Sequence, residues 1–255
     1  MGQSVCRLIS EYPNLELQAA IDKPGEEIIG KSVSSNFEQA SLKYSDSIEA
    51  GVRSTDSVID FSAPESTERL VEVLLDCPKP TAICTTGLSQ KTLSRIRELG
   101  VKAPVLVASN TSLGVFAQRQ LVSIATQILG DKFDIEIVES HHKNKKDSPS
   151  GTAMTLAEEI CCHRDLKVIT DRSKSASCRD KNELGISSIR GGDTIGEHTV
   201  YFIGNGERLE VTHRAFSRDI FARGVLELIT ILHDLKPSVY NPAELFRLFG
   251  PNLAY

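Results

Sequence analysis

No apolar run in the 255-residue chain approaches the roughly 20 residues that a membrane-spanning helix needs. The first stretch, Met1 to Tyr12, carries Arg7 and Glu11 and lacks the clean apolar block of a secretory signal. Basic residues are not in excess: 29 Lys and Arg face 34 Asp and Glu, a net charge of −5, which argues against a nucleic-acid-binding domain. The six cysteines (Cys6, Cys77, Cys84, Cys161, Cys162 and Cys178) have no spacing that reads as a disulfide framework. They are expected to be reduced thiols of a cytoplasmic protein. Cys161-Cys162-His163 has the residue types of a metal site but not its geometry. Consecutive residues on a helix diverge, and no second ligand pair has zinc spacing, so no metal is expected. Neither internal repeats nor low-complexity segments occur.

What is present is a series of short apolar strands alternating with helices. Gly2–Tyr12 reads as a helix with Val5, Leu8 and Ile9 on one face. Strands are expected at Leu15–Ile21, Ser57–Phe61, Thr81–Cys84 and Pro104–Ala108. Helices are expected from Ser62 (a cap with Glu65 completing a capping box) to Asp76, and from Ser89 to Leu99 with Gly100 as C-terminal cap. A long helix should run from Ser112 to near Gly130. This alternation implies a parallel, doubly wound sheet, which binds ligands beyond the carboxyl ends of its strands. Small polar turns stand at three such ends: Asp22-Lys23, Cys84-Thr85-Thr86 and Ala108-Ser109-Asn110-Thr111. An acid after the second strand is where an adenosine ribose is held, and Lys23 beside it could accept a 2′-phosphate, so NADH and NADPH both stay open.

The stretch from Glu136 to Ile160 begins as a strand and ends as a helix. Between them lie His141, His142, Lys143, Lys145 and Lys146, then Pro149-Ser150-Gly151-Thr152 entering the helix. Alone, the lysines read as a solvated loop. With a helix N-terminus aimed at the same space they read as a proton-handling site for a carboxylate-bearing substrate. Histidine titrates near neutrality, and crowded positive charge eases proton release from Lys145. Gly151 allows close backbone approach. Beyond this point Leu166–Ile169 reads as a short strand and 170–178 as a polar loop. Val200 and Phe202, the turn Asn205-Gly206, and Leu209, Val211 and His213 read as a β-hairpin. Antiparallel strands after a parallel half imply a second, α+β domain with an open sheet, which oligomerisation commonly covers.

His141-His142-x-x-Lys145 followed by Asp147-x-Pro149-Ser150-Gly151-Thr152-Ala153 resembles the signature of the dihydrodipicolinate reductase family. The resemblance covers nearly the whole chain and is most specific over 139–153. Cys84-Thr85-Thr86-Gly87 and Ser109 to Val115 resemble the family's nicotinamide-side turns. Arg190 to Asp193, Gly196 to Thr199 and Ser217 to Gly224 resemble further family segments. It implies a Rossmann-like parallel-sheet nucleotide domain (1–112 and 222–255) plus an α+β substrate and tetramerisation domain with an open mixed sheet (113–221). It also implies NAD(P)H-dependent reduction of a cyclic dicarboxylate in lysine and diaminopimelate biosynthesis, by a homotetramer. His141 and Lys145 would handle the proton. His142, Ser150, Gly151 and Thr152 would hold the substrate carboxylates, the last three through backbone N–H groups. Asp22, Lys23, Cys84 to Thr86 and Ala108 to Thr111 would hold the cofactor. His163, His198, His213 and His233 are read as structural.

The chain departs from the family at Cys84 (commonly glycine), Thr111 (commonly larger) and Phe116 (commonly asparagine). Met1-Gly2 resemble the end of the family's strand-G-x-x-G-R-M-G opening, so the first strand and most of the phosphate loop are expected to be missing, and phosphate-loop residues cannot be assigned. That motivates a competing reading, a non-catalytic homologue with impaired dinucleotide binding. A different NAD(P) oxidoreductase, such as an amino-acid dehydrogenase, is the third.

Overall fold

The computed structural model describes residues 1–33, 42–174 and 177–248. They form two compact units, the described residues of 1–113 with 219–248 and those of 114–218. The tail beyond 248 lies outside the described residues.

In chain order the first unit opens with α1 (Gly2–Leu8), continued by a 3-10 turn to Glu11. Then come β1 (Ala20–Ile21), β2 (Tyr44–Ser45), α2 (Ile48–Ser54), β3 (Val58–Asp60), α3 (Pro64–Asp76), β4 (Thr81–Ile83), α4 (Gln90–Gly100) and β5 (Pro104–Val107). Helix α5 (Leu113–Leu129) leads into the second unit, which holds β6 (Asp134–His141), α6 (Gly151–Cys161), β7 (Lys167–Ile169), β8 (Glu183–Arg190), β9 (Gly196–Gly204) and β10 (Glu207–Ala215). The chain returns through α7 (Asp219–His233), β11 (Ser238–Tyr240) and α8 (Pro242–Phe246).

The first unit has a four-stranded parallel sheet, ordered β11-β5-β4-β3, and a separate two-stranded parallel sheet, β1-β2. Thr67, Leu70, Val71, Leu74 and Leu75 recur at helical spacing on α3 and bury one face. They pack with Ile83, Ile96, Leu99 and Val105 into one apolar cluster. The second unit is a five-stranded mixed sheet, ordered β10-β9-β6-β8-β7. Strand β6 is parallel to β8 and antiparallel to β9, which pairs antiparallel with β10 through the Asn205-Gly206 turn. Alternate residues Ile135, Ile137, Val200 and Phe202 pack against Val122, Leu156 and Ile160 of α5 and α6. The opposite face stays open, with Ile189 and Ile203 exposed.

Several local expectations change. The first strand covers only Ala20–Ile21, not Leu15–Ile21, because its partner among the described residues, β2, is two residues long. Ser62 does not cap α3. Pro64 occupies the first helical turn and drives Ala63 into the extended conformation, so the helix starts later and no side chain caps it, nor does Glu65 complete a capping box. Gly100 is the last residue of α4, not a left-handed cap; an added Cβ there would meet Val239 Cγ2 of β11 at 2.5 Å. The closing helix runs from Asp219 to His233, and β11 after it is not among the expected strands. No helix among the described residues is long and apolar enough to cross a membrane.

One close approach has a measurable consequence. A Cβ on Gly224 of α7 would stand 1.7 Å from the Thr111 carbonyl oxygen, whereas one on Gly191 meets nothing within 4 Å. Gly224→Ala is therefore expected to destabilise by about 3 kcal/mol or more, with Gly191→Ala near neutral. Equal denaturation midpoints for the two variants would contradict this packing.

Candidate active site

Strand periodicity assembles the site. On β6 the inward set Ile135, Ile137, Glu139, His141 places two polar residues on the core face at the strand's end. On β9 the inward set Phe202, Val200, His198 does the same, and His198 pairs directly with Glu139. Arg190, the last residue of β8, pairs with His141. Helix α6 then starts over the same end, with Ser150 Oγ accepting the Ala153 N–H at 3.2 Å as its cap.

Glu139 is the centre of this cluster, and its side chain is fully buried. Arg190 donates to it twice, Nη2 to Oε1 at 2.7 Å and Nη1 to Oε2 at 2.8 Å. The Ser150 N–H reaches Oε1 at 3.2 Å, and His141 Nδ1 lies 2.5 Å from Oε2. Burial alone would raise this carboxyl's pKa, but hydrogen bonds from Arg190, Ser188 and His141 outweigh it and bring it down to about 2. It is therefore a carboxylate at any working pH. Arg190 Nη2 also donates to the Asp147 carbonyl at 2.8 Å, tying the lysine loop to the cluster.

His141 is buried, and burial pushes its pKa down; Glu139 opposes the shift, while Lys145 and Arg190 add to it. Its ring meets that of His198 edge-on, with centroids 5.1 Å apart. His198 Nε2 lies 2.9 Å from Ser150 Oγ, and its Nδ1 has no hydrogen-bond partner among the described residues. Burial, followed by the neighbouring His141, brings His198 down to about 4, so this histidine is neutral. Lys145 Nζ pairs with Asp147 Oδ1 at 2.8 Å, which offsets the crowding of positive charge expected from the lysine run. His142 is half-buried on the same turn, and its carbonyl accepts the Lys145 N–H at 3.1 Å.

The structure thus brings His141, Ser150 and the start of α6 together, with Lys145 on the adjoining turn. One expectation is corrected: the Ser150 N–H donates to Glu139, so it is not available to a ligand, and Ser150 itself is buried. Gly151 is exposed in the first turn, with Thr152 beside it half-buried. Glu139, Arg190 and His198 were not singled out for the site, and His198 was read as structural. The two-residue alternation running on from Ile137 and back from Val200 was the signal that could have found Glu139 and His198.

In the first unit, Asp22 and Lys23 are exposed at the end of β1; Asp22 Oδ1 accepts the Lys23 N–H at 2.8 Å. At the ends of β4 and β5, Thr86 and Ser109 are exposed, while Cys84 and Ala108 are buried. Burial pushes the Cys84 thiol far up, so it is a neutral wall residue. Thr85 Oγ1 is committed to the buried Asp60 carboxylate at 3.0 Å, Asn110 Oδ1 to the Ser112 N–H at 2.9 Å, and Thr111 Oγ1 to the Phe221 carbonyl at 2.6 Å. Adjacent strands therefore present polar turns side by side, with rigid side chains behind them. These turns fit the nicotinamide half of a dinucleotide, and the exposed Asp22-Lys23 pair fits a ribose with or without a 2′-phosphate.

Residues 1–111 match the family model "Dihydrodipicolinate reductase, N-terminus", and residues 114–246 match "Dihydrodipicolinate reductase, C-terminus". The chain belongs to the dihydrodipicolinate reductase family. It is 37% identical over 254 residues to the 4-hydroxy-tetrahydrodipicolinate reductase of Citrifermentans bemidjiense, covering 97% of this chain and 95% of that one. It is 43% identical over 198 residues to that of Nitratiruptor sp., covering 76% and 78%. The fold is similar to that of dipicolinate-bound dihydrodipicolinate reductase from Paenisporosarcina sp. TG-14, with a TM-score of 0.74 at 22% identity over 94% of this chain and 92% of that one. The matches to the two halves of the reductase family meet where α5 begins, between residues 111 and 114.

Buried, neutral His198 makes stability acid-sensitive. His198 has its folded pKa depressed from 6.5 to about 4, so the unfolded chain binds the proton first and stability is lost as pH falls below about 6.5. Between pH 7 and pH 5 this histidine accounts for about 2 kcal/mol of that loss. Denaturant titrations at the two pH values should show a smaller loss in His198→Gln; an unchanged loss would mean that His198 does not stay neutral in the folded protein.

Proposed function

We propose that this chain reduces 4-hydroxy-tetrahydrodipicolinate, following loss of its hydroxyl as water, to tetrahydrodipicolinate, with NADH or NADPH, in lysine and diaminopimelate biosynthesis. The observation that carries the reading is the convergence of His141 and the first turn of α6 on one end of the second unit's sheet, in a chain matching both halves of the family. When bound, the reduced nicotinamide supplies a hydride. The residues of this chain do the rest. A substrate that has accepted hydride holds negative charge shared with its ring nitrogen and needs one proton. We assign its delivery to Lys145 Nζ and to His141 Nε2 once that nitrogen has taken up a proton. Gly151 and Thr152, in the first turn of the 11-residue helix α6, hold one carboxylate at the positive end of the helix. His142 reaches the other. A dicarboxylate ligand agrees with the dipicolinate bound to the Paenisporosarcina enzyme.

The polar turns after β1, β4 and β5 hold the cofactor, with Asp22 and Lys23 on the ribose side. We also assign a homotetramer in the cytoplasm, assembled through the open face of the mixed sheet. Ile189 and Ile203 are exposed on that face, and light scattering reads the mass directly. The competing reading, a non-catalytic homologue, draws on the first unit: among the described residues β1-β2 and β11-β5-β4-β3 share no ladder, so β1 and β3 each have one neighbour there.

Oxidation of NADH and NADPH separates these readings. The substrate is generated in place from pyruvate and aspartate semialdehyde by the preceding synthase. Turnover is expected with one or both cofactors, falling by about 10²- to 10⁴-fold in His141→Ala and Lys145→Ala. Full activity in both variants would remove these residues from the chemistry. No turnover by a folded wild-type chain that also fails to bind either cofactor would favour the non-catalytic homologue.

A further inference from the structure

We propose that Glu139, clamped by Arg190, is a positioning residue that holds His141 as the Nδ1–H tautomer and so leaves Nε2 as the atom that exchanges a proton with the ligand. The inference rests on the reading of His141 as a proton-handling group. Glu139 Oε2 lies 2.5 Å from His141 Nδ1, and an ionised carboxylate can only accept, so the proton between them belongs to the ring. Glu139 cannot turn away. Arg190 grips both of its oxygens at 2.7 and 2.8 Å, and the Ser150 N–H holds Oε1 from a third direction.

At the other ring nitrogen the absence of a side chain on β9 makes room. A Cβ on Gly196 would stand 3.0 Å from His141 Nε2, so glycine at the start of β9 leaves that atom accessible. The charged and titratable groups facing the ring are Glu139 on its own strand, Arg190 on β8, Lys145 on the following loop and His198 on β9, with His213 behind His198 on β10. His198 is neutral, and among these groups Glu139, hydrogen-bonded to Nδ1, is the one that favours the imidazolium formed when Nε2 takes up a proton, against Lys145 and Arg190.

The test reads the tautomer apart from activity. Long-range proton–nitrogen correlation spectra of the ligand-free wild-type protein should show His141 protonated at Nδ1 near neutral pH; protonation at Nε2 would overturn the proposal whatever any variant does. In Glu139→Gln the amide oxygen is claimed by Arg190 and the Ser150 N–H, which turns the amide NH₂ toward Nδ1 and forces the proton to Nε2. We expect that inversion, together with a fall in kcat of about 10- to 100-fold at nearly unchanged KM, and an imidazole titration moved to lower pH. An Nδ1–H ring or wild-type kcat in Glu139→Gln would sink the positioning role. Gly196→Ala, which keeps the carboxylate, should lower kcat while preserving the Nδ1–H signature, and gives a second reading if Glu139→Gln folds poorly; unchanged kcat there would refute the accessible-Nε2 part. A correct tautomer with full activity in His141→Ala would instead show that the functional reading of His141 had failed.

Discussion

A buried carboxylate anchors the second unit. Stripping water from Glu139 costs several kcal/mol, and only well-placed partners offset that cost. Here they come from separate elements: Arg190 from β8, the Ser150 N–H from the start of α6, and His141 from β6 itself. Because the penalty returns in full if one partner leaves, the carboxylate constrains the register of β6 against β8 and the position of α6 together. The same Arg190 reaches the Asp147 carbonyl, so the loop that carries Lys145 is held by the group that holds the histidine. Orientation of the site and integrity of the fold are one interaction.

The two ends of this sheet show the contrast. Away from the site, Arg172 and Arg179 pair with Asp134, Glu136 and Glu183 in a partly exposed network, where water screens each pair. That network ties Arg172 and Arg179 to strands β6 and β8. At the site end the Glu139 carboxylate is fully buried, and Arg190 grips both of its oxygens. Glycines serve both ends: Gly185 makes room for the Glu136 carboxylate, and Gly196 leaves space beside His141.

The first unit uses a smaller version of the same device. Asp60, buried at the end of β3, accepts from the Ser62 N–H and from the Thr67 and Thr85 hydroxyls. It fastens the turn after β4 to the turn after β3. Thr111 is fastened to the start of α7 in the same way, through Phe221 and the close approach of Gly224. Polar turns that a ligand would touch are therefore backed by hydrogen bonds already made within the protein, which leaves little ordering to be done on binding.

The sequence by itself determined the alternation of strands and helices, the entry of α6 at Pro149-Ser150-Gly151-Thr152, the Asn205-Gly206 hairpin and the family. These are local signals, carried by periodicity, turn chemistry and a contiguous motif. His141 and Lys145 were singled out for the same reason, and they lie on the end of β6 and on the turn that follows it. Only the tertiary structure decided that Glu139 is the hub, that Arg190 arrives from a strand some fifty residues later, and that His198 belongs beside His141. It also showed that the Ser150 N–H is already engaged, and that β11 closes a sheet begun far earlier in the chain. Such facts depend on strand register and on which buried groups find partners, and no window of sequence contains both members of a pair brought together only by folding.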